Sequence, residues 1–331
     1  MSSKPVVALA LAEPLCKMMF ASDDLDRLRA ATTVNGPPKT AAIEDVLPLL
    51  TDAVVAITGW GSPVFDAELL KHAPKLRLVA YSAGSIKGVA TDEMYDRGVQ
   101  ITTAAAGNAA PVAETTVAMM VVMLKRIPWL LEARGSKHLN RQIGPIRELR
   151  DLAVGIIGAS RVGREVIRLL KSYPRLTIRV YDPYLSAADA REMGVERATL
   201  EHTCGCDVVS VHAPQIPQTL HMLNAKTLAL LPDHAVLINT SRGSLIDEAA
   251  LVAEVRRRPL YVYLDVTDPE PPDQDSPLRG EKNIVITPHV AGAMNQARRD
   301  MGRLAIAETL RFLSGKPLEH EVTREMLPTQ A

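Results

Sequence analysis

Three side chains that can carry acid–base or ion-pair chemistry each follow an apolar run late in the chain. They are Arg242, Glu270 and His289. Because ligands of parallel α/β sheets bind at the carboxyl ends of the strands, the three are expected to meet at one sheet edge. An arginine can bind a carboxylate in a fork and polarise a keto oxygen, and a histidine oriented by a carboxylate can protonate that oxygen. Taken singly, each also fits a surface ion pair or a strand-end histidine.

A glycine-containing turn lies upstream of these residues. An apolar run leads into Gly158-Ala159-Ser160-Arg161-Val162-Gly163, and a helix is predicted to open at Arg164. Gly158 permits a tight turn, Gly163 lets the helix pack close to the strand, and the helix N-terminus offers N–H groups to a pyrophosphate. Ser160 stands where such turns commonly have a middle glycine. The pattern predicts dinucleotide binding, with a plain strand–helix turn or an S-adenosylmethionine site as alternatives.

An acidic residue ends the next apolar run. Asp182 follows the glycine turn by roughly 20 residues, the spacing at which an acidic side chain accepts hydrogen bonds from the adenosine ribose. The surrounding sequence Tyr181-Asp182-Pro183-Tyr184 contains no arginine that would bind a 2′-phosphate. This segment therefore predicts NAD rather than NADP.

A scaffold for these residues is visible in the alternation of short apolar runs with amphipathic segments. Continuous apolar runs are typical of parallel strands that are buried on both faces, so the pattern predicts an α/β fold. The predicted strands are Val6–Leu11, Ala53–Thr58, Leu76–Ala83, Gln100–Thr103, Ala153–Ile157, Ile178–Tyr181, Val208–His212, Ala235–Asn239, Tyr261–Asp265 and Ile284–Thr287. The amphipathic segments include Arg161–Tyr173, Asp247–Arg258 and Arg298–Leu313.

So many strands predict two sheets rather than one. The alternation stops between Thr103 and Ala153, where Ala110–Ile127 is predicted as one helix that Pro128 interrupts. We therefore expect one α/β unit before about residue 108 and a second after it.

Composition limits the partners that the sequence predicts. Lys+Arg and Asp+Glu both number 38, so no net field attracts nucleic acid or a membrane surface. The N-terminal apolar run ends at Leu11, too early for a membrane span, and no signal-cleavage pattern follows. Three cysteines do not form a disulfide framework, which favours the reducing cytoplasm. Cys204-Gly205-Cys206, preceded by His202, matches no common zinc spacing and is interpreted as a linker, so no metal site is predicted.

In this order, the motifs resemble those of the D-isomer-specific 2-hydroxyacid dehydrogenase family, from about Leu76 to Lys316. The motifs that carry the resemblance are Pro111-Val112-Ala113-Glu114, the glycine turn, Asp207-Val208-Val209-Ser210-Val211-His212-Ala213-Pro214, Asn239-Thr240-Ser241-Arg242-Gly243 and Thr287-Pro288-His289. The resemblance implies an NAD-dependent oxidoreductase for a small D-2-hydroxy or 2-keto acid, a glyoxylate or hydroxypyruvate type among them. It also implies a homodimer.

Residue roles follow from the same resemblance. It implies that Arg242 binds the substrate, that His289 is the acid and base, and that Glu270 is its partner. Asp265 is implied to lie near the nicotinamide carboxamide. The implied cofactor-binding residues are Gly158, Ser160, Arg161, Val162, Gly163, Asp182, His212, Pro214, Thr219, Thr240, Ser241 and Asp265.

The family's domain arrangement is implied as well. Residues 1–108 and 293–331 would form a flavodoxin-like substrate domain, and a Rossmann NAD-binding domain at 109–292 would be inserted into it. The backbone of Ala83, Gly84 and Ser85 would hold the substrate carboxylate. The family commonly has a Gly-Val-Asp-Asn type sequence there, whereas this chain has no acidic or amide side chain and carries Lys87. The side chain of the substrate is therefore left open.

Two other functions fit the same motifs. An NAD(H)-sensing binding protein, such as a corepressor that shares the fold, can retain all three strand-end residues, and fold alone does not separate it from an enzyme. Oxidation of formate or phosphite is a further alternative within the enzymes, although no extra polar groups for such a substrate are identified.

Overall fold

The computed structural model describes residues 4–132 and 144–329. The chain divides into two compact units. The first unit comprises the described residues of 1–108 and 293–331, and the second unit comprises those of 109–292. The second unit is thus inserted into the sequence of the first.

Parallel sheets form the centre of both units. The strands are β1 (Val6–Leu9), β2 (Thr33–Asn35), β3 (Val55–Thr58), β4 (Leu78–Tyr81), β5 (Gln100–Thr103), β6 (Ala153–Ile157), β7 (Thr177–Tyr181), β8 (Glu196–Arg197), β9 (Val208–Val211), β10 (Val236–Asn239), β11 (Tyr261–Leu264) and β12 (Ile284–Ile286). The helices are α1 (Glu13–Met19), α2 (Ser22–Ala31), α3 (Ile43–Leu50), α4 (Ala67–Lys71), α5 (Asp92–Asp96), α6 (Ala105–Leu124), α7 (Ile127–Glu132), α8 (Arg161–Leu170), α9 (Ala187–Glu192), α10 (Leu200–Cys204), α11 (Ala225–Leu228), α12 (Glu248–Arg257) and α13 (Asn295–Leu313).

The strand orders identify two doubly wound sheets. The first unit has the order β2-β1-β3-β4-β5, which is the flavodoxin-like arrangement. The second unit has the order β12-β11-β10-β9-β6-β7-β8, which is the Rossmann arrangement with one strand more. Its strand order reverses between β6 and β9, and ligands of such sheets bind at this crevice. The predicted α/β class with two parallel sheets is confirmed.

Burial explains why the central strands were recognisable from the sequence. Every residue of β3, β4, β9, β10 and β11 is buried. Helices cover both faces of such sheets, so the strands are apolar throughout rather than alternating. All ten predicted strands are present, with ends that differ by no more than a few residues.

Two edge strands were not predicted. β2 has three residues, none of them buried, and β8 has two exposed residues, Glu196 and Arg197. Neither strand buries an apolar run, so the sequence contains no signal for it. Only their pairing with β1 and β7 makes them strands.

The long helix predicted over 110–127 is placed differently. α6 runs from Ala105 to Leu124, and a separate helix, α7, begins at Ile127. Arg126, with φ of 57°, breaks the helical path between them, and Pro128 lies in the first turn of α7, where proline is tolerated. Among the described residues, α6 alone is long and apolar enough for a membrane span by length and composition. Eight of its 20 residues are buried, so packing in the protein covers part of its apolar surface.

The three cysteines are free and buried. Cys204 is the last residue of α10, and Cys206 lies just before β9 in the core of the second unit. Burial raises the pKa of the Cys204 thiol to about 12 and that of Cys16 to about 11. The Cys204–Cys206 segment therefore connects α10 to β9 with protonated, core-packed thiols.

Candidate active site

Two glycines of the 158–163 turn are required by close backbone contacts. Gly158 follows β6 with φ of 99°, and a Cβ added there would lie 2.7 Å from the Ala213 nitrogen. A Cβ on Gly163 would lie 2.1 Å from the Gly158 carbonyl oxygen. Any larger residue would push β6, α8 and the segment after β9 apart, which supports the roles predicted for both glycines.

Ser160 begins the helix that follows this turn. It is the N-cap of α8, and its Oγ accepts a hydrogen bond from the Gly163 amide at 3.3 Å. The helix therefore starts at Arg161, and the predicted start at Arg164 was wrong. The first intrahelical bond runs from the Arg164 amide to the Ser160 carbonyl at 2.9 Å. Arg161 and Val162 precede that bond, so their amides lie where helix N-termini bind anions.

Asp182 lies directly beside the same turn. It follows β7, and its carboxylate accepts hydrogen bonds from the Ala159 amide at 2.7 Å and from the Tyr184 amide at 2.8 Å. These two bonds fix the carboxylate next to the crevice without burying it completely. This is the position from which an acidic side chain binds the adenosine ribose of NAD.

The segment after β9 closes the other side of the crevice. The His212 amide donates to the Ile157 carbonyl at 2.7 Å, and the ring Nε2 lies 2.9 Å from Ser210 Oγ. Burial lowers the pKa of His212 to about 3, so the ring is neutral. Further along, the Thr219 hydroxyl donates to the Pro214 carbonyl at 2.6 Å and shapes a local turn. The backbone of His212 thus lies directly beside Gly158, and the turn made by Pro214 and Thr219 follows it along the chain.

Residues after β10 are tied into the second unit by side-chain hydrogen bonds. Ser241 Oγ donates to the Ala213 carbonyl at 2.8 Å. Thr240 Oγ1 lies 2.8 Å from Oγ1 of Thr116 in α6, and both threonines are buried. The buried Asn239 amide side chain donates to the Arg242 carbonyl at 2.8 Å, while its oxygen accepts from the Ser241 amide at 3.0 Å. Asn239 and Thr116 were missing from the predicted site, and both set the backbone that carries Arg242.

Arg242 is the cation of the site. Its Nη1 donates to the Ser241 carbonyl at 2.7 Å. Burial lowers the pKa of its guanidinium, and the negative charge of Glu270 raises it. A guanidinium titrates so far above neutrality that the group remains charged. Arg242 and Glu270 are therefore close enough to interact electrostatically, as their positions after adjacent strands predicted.

His289 and Glu270 form a hydrogen-bonded pair. His289 Nδ1 lies 2.6 Å from Glu270 Oε1. An ionised carboxylate only accepts hydrogen bonds, so Nδ1 carries a proton and Nε2 faces away from the pair. The side chains are 49% and 40% exposed, respectively, so a small molecule can reach them. This arrangement can deliver a proton from Nε2 to an oxygen atom.

Asp265 makes its contacts with the turn that carries His289. Its Oδ1 accepts from the Val290 amide at 2.9 Å and from Thr287 Oγ1 at 2.6 Å, and its Oδ2 accepts from the Ala291 amide at 2.8 Å. The side chain is almost completely buried. Thr287 was part of a recognised motif, but its hydroxyl had been given no role.

A cleft of about 650 Å³ lies beside Glu270 within the second unit. Its walls are formed by the segments that follow β11 and by β12 itself. The lining residues are Asp265, Thr267, Glu270, Pro271, Pro272, Leu278, Arg279, Ile284, Ile286, Thr287 and Pro288. Glu270 therefore has an open space next to it.

The predicted substrate loop belongs to the first unit. Ala83, Gly84 and Ser85 follow β4, and the Thr103 hydroxyl donates to the Ala83 carbonyl at 3.0 Å and also to the Gly84 carbonyl. The Ala104 amide donates to the Ala83 carbonyl at 3.0 Å. A Cβ on Gly84 would meet nothing within 4 Å, so space is open on that side. The loop is thus held through its carbonyl groups at the carboxyl edge of its sheet.

The chain matches a protein-family model over residues 117–291. That model describes the NAD binding domain of D-isomer specific 2-hydroxyacid dehydrogenases. The chain belongs to the D-isomer-specific 2-hydroxyacid dehydrogenase family. The resemblance predicted from the motifs is therefore confirmed, and so is NAD as the cofactor of the second unit. Gly158, Gly163 and the N-terminus of α8 fit the pyrophosphate of that cofactor, because a Cβ on either glycine would collide with backbone.

Several relatives are D-3-phosphoglycerate dehydrogenases. The enzyme of Bacillus subtilis is 30% identical over 267 residues, which are 77% of this chain and 50% of that protein. The enzyme of Archaeoglobus fulgidus is 27% identical over 259 residues, covering 78% of this chain and 49% of that protein. The chain thus spans about half the length of these relatives.

Solved structures share the fold. The NAD complex of a D-isomer specific 2-hydroxyacid dehydrogenase from Lactobacillus delbrueckii ssp. bulgaricus has a TM-score of 0.83 at 18% identity, covering 97% of this chain and 100% of that one. D-Lactate dehydrogenase from Aquifex aeolicus, complexed with NAD and lactic acid, has a TM-score of 0.73 at 23% identity, covering 94% and 96%. At these identities the likeness concerns the fold.

Proposed function

We propose that the protein is an NAD-dependent oxidoreductase that interconverts a small 2-keto acid and the matching D-2-hydroxy acid. The observation that carries this proposal is the 2.6 Å contact between His289 Nδ1 and Glu270 Oε1, with the cationic Arg242 close to that carboxylate. A proton donor, its anionic partner and a carboxylate-binding cation are the three groups that keto-acid reduction needs from the protein.

The role of each side chain follows from its donor and acceptor properties. When bound, NADH would supply a hydride, with its two electrons, to the keto carbon. Arg242 binds the substrate carboxylate in a fork and polarises the keto oxygen. His289 gives its Nε2 proton to that oxygen, and the imidazole is left neutral. Glu270 orients the ring throughout by accepting the Nδ1 hydrogen bond. In the reverse direction, neutral His289 takes the hydroxyl proton.

Cofactor binding is assigned to the crevice between β6 and β9. In this proposal the amides of Arg161 and Val162 bind the pyrophosphate, and Asp182 binds the adenosine ribose. Thr240 and Ser241 line the nicotinamide ribose. The backbone from His212 to Pro214 and the turn at Thr219 complete the wall. The short contacts beside Gly158 support this placement, since they keep the helix N-terminus close to the sheet edge.

The substrate carboxylate is proposed to bind at the backbone of Ala83, Gly84 and Ser85 as well as at Arg242. Support comes from the Thr103 hydrogen bonds, which hold the loop by its carbonyl groups and leave amides for an anion. A short substrate of the glyoxylate or hydroxypyruvate type is proposed as the first to test, because the open space beside Gly84 leaves the side chain of the substrate undecided.

A homodimer in the cytoplasm is proposed as the working state. Ile127, Leu131 and Ile146 of the second unit are 38%, 59% and 42% exposed, respectively. Ile127 and Leu131 are four residues apart on α7 and share one face of this helix, which offers apolar surface for the homodimer that the family resemblance implies. The buried free thiols favour a reducing compartment. Equal numbers of acidic and basic residues argue against nucleic acid or a membrane as partners.

The decisive experiment is a substrate panel with a paired mutant. NADH oxidation is measured with glyoxylate, hydroxypyruvate and phenylpyruvate, and the reverse reaction is measured with both enantiomers of each hydroxy acid. His289→Gln should lower kcat by about 10²–10⁴-fold while NADH still binds. His202→Gln, an exposed histidine on α10, is the matched control and should behave like wild type. Tight NADH binding without turnover of any panel member would instead favour an NAD(H)-sensing binding protein.

A further inference from the structure

We propose that Asp265 is a positioning residue that fixes the backbone turn carrying His289. This inference rests on the proposed function, because it gives His289 the role of acid and base. It adds to the family expectation, in which Asp265 lies near the nicotinamide carboxamide. The contacts of the carboxylate point to the turn, because the carboxylate accepts the Val290 and Ala291 amides.

The backbone conformation of His289 must be stabilised by contacts with other residues. Its φ is 53°, in the left-handed region that is uncommon for residues other than glycine. Such conformations persist where the surrounding structure over-determines them. The His289 amide itself donates to the Asp265 carbonyl at 2.9 Å. The main chain of Asp265 thus holds the residue, and its side chain holds the two residues that follow.

Those two residues are held by one buried carboxylate. The Val290 amide binds Oδ1 and the Ala291 amide binds Oδ2, so the carboxylate spans two successive peptide units. From the other side, the Thr115 hydroxyl of α6 donates to the Ala291 carbonyl at 2.9 Å. The main chain after His289 is therefore held through two N–H groups and one carbonyl group. Rotation of the turn would break several of these hydrogen bonds.

A buried hydrogen-bond chain fixes the carboxylate in turn. Thr287 Oγ1 has one hydrogen and gives it to Asp265 Oδ1 at 2.6 Å. The contact of 2.7 Å between Thr287 Oγ1 and the Tyr263 hydroxyl must then have Tyr263 as its donor. Tyr263 is 1% exposed and Asp265 is also 1% exposed, so neither group exchanges partners with solvent freely. The direction Tyr263 to Thr287 to Asp265 gives the carboxylate one preferred orientation.

The two roles for Asp265 predict different kinetic consequences. A group that contacts the nicotinamide contributes to NADH affinity. A group that holds the His289 turn contributes to proton transfer, because it places Nε2 at the keto oxygen and keeps Nδ1 at Glu270. Loss of the turn-holding role should therefore lower kcat even when NADH is saturating.

Asp265→Asn in the full-length chain is the first test. The asparagine side chain has only one acceptor oxygen, and its NH₂ group would face one of the two turn amides. That amide would lose its hydrogen bond. We expect kcat for keto-acid reduction at saturating NADH to fall by about 10²-fold, the cost typical of a misplaced catalytic group. Asp275→Asn is the matched control, because Asp275 is an exposed carboxylate of the same unit. Weaker NADH binding with an unchanged kcat would overturn the proposal.

Thr287→Val is the second test and covers the case in which Asp265→Asn does not fold. Valine keeps the shape of threonine but breaks the chain from Tyr263, while the two amide contacts of Asp265 remain. We expect a smaller loss of kcat, without a change in the Kd for NADH. A wild-type kcat for Thr287→Val would contradict the positioning role, whether or not Asp265→Asn folds.

A readout without turnover separates this proposal from the proposed function. In protein labelled with ¹⁵N at its eight histidines, the hydrogen-bonded Nδ1–H of His289 is assigned by its disappearance in His289→Gln. Asp265→Asn should weaken or remove that resonance, because a loosened turn no longer holds Nδ1 at Glu270. If wild type reduces none of the keto acids, the proposed function fails, and this spectrum still tests the turn. An unchanged resonance in Asp265→Asn would overturn the positioning role.

Discussion

The Ser160 hydroxyl accepts a hydrogen bond from the Gly163 amide at 3.3 Å, so the residue in place of a middle glycine is the N-cap of α8. Serine is among the residues that satisfy the free amides of a first helical turn best. The cap also takes up one amide that would otherwise face the pyrophosphate. Ser160 therefore both begins α8 and forms part of the cofactor turn. Substitution can separate its effect on stability from its effect on cofactor binding.

We expect Ser160→Ala to lower the free energy of unfolding by about 1 kcal/mol and Ser160→Gly by only a few tenths. Both variants should change the Kd for NADH, because the first turn of α8 is altered, and both should keep the single-turnover rate of hydride transfer. Urea unfolding, NADH titration and stopped-flow absorbance measure these three quantities. A slower hydride transfer with unchanged NADH binding would show that the turn is not at the pyrophosphate.

Because Asp182 places a carboxylate beside the cofactor turn, we expect a preference for NADH over NADPH of at least roughly tenfold in kcat/KM, or about 1.4 kcal/mol. Its carboxylate is fixed by the Ala159 and Tyr184 amides and would face the 2′-phosphate with the same charge sign. Asp182→Ser should narrow the preference mainly by improving NADPH. The measurement is kcat/KM for both cofactors in wild type and variant. Equal use of both cofactors by wild type would contradict the assignment of Asp182.

Arg242→Lys should raise KM for the keto acid strongly and leave the Kd for NADH unchanged. Lysine keeps the charge but loses the planar fork that matches a carboxylate. Arg279→Lys is the control, because Arg279 lines the cleft beside Glu270 and its guanidinium is bonded to the Pro272 and Asp273 carbonyls. If KM stays constant in Arg242→Lys, another cation binds the carboxylate, and Lys87 is the next to test.

Glu270→Gln should lower kcat by about tenfold, less than His289→Gln does. The glutamine oxygen can still accept the Nδ1 hydrogen bond, but a neutral acceptor is weaker than a charged one by about 1 kcal/mol or more. The comparison is made at saturating NADH and keto acid. Glu248→Gln, whose carboxylate accepts from the Asp268 amide at 2.8 Å, is the control for a carboxylate near the same loop. A wild-type kcat for Glu270→Gln would direct attention to Asp268 as the partner of His289.

The strand-end residues were predictable because the fold class decides where they lie. Once β10, β11 and β12 are recognised as parallel, the side chains after them must share one edge. The shared edge of Arg242, Glu270 and His289 followed from this rule, whereas the choice of Glu270 among the carboxylates after β11 came from the family resemblance. The same rule placed Asp182 and the glycine turn next to each other, since β6 and β7 are neighbours.

Contacts with backbone groups were not predictable in the same way. The partners of Asp265 are mostly main-chain amides, which every residue has, so no sequence pattern indicates them. Thr116 and Thr240 are brought together only by the packing of α6, although they are 124 residues apart. The start of α8 was missed because Ser160 was judged as a replacement for glycine, whereas its capping ability determined the helix boundary.

His212 should make the second unit lose stability as the pH falls. Burial lowers its pKa to about 3 in the folded protein, whereas the ordinary value is 6.5. Below pH 6.5 the unfolded chain binds a proton that the folded chain does not, so stability is complete above this pH and declines as the pH falls toward about 3. The slope from this one group is at most about 1.4 kcal/mol per pH unit. His212→Asn removes the titrating ring, so its stability should depend less on pH in this range, even though it starts lower at pH 7.

The two tryptophans, Trp60 and Trp129, lie in different units, so a Trp60→Phe background leaves Trp129 fluorescence as a probe of the second unit. In that background, urea unfolding between about pH 7.5 and about pH 4.5 measures how the free energy of unfolding changes with pH, and this range brackets the ordinary histidine pKa. His202→Gln, which replaces an exposed histidine, is the control. Equal slopes for His212→Asn and wild type would show that His212 takes up a proton as readily in the folded protein as in the unfolded chain, and the neutral, buried ring beside Gly158 would then be the wrong description.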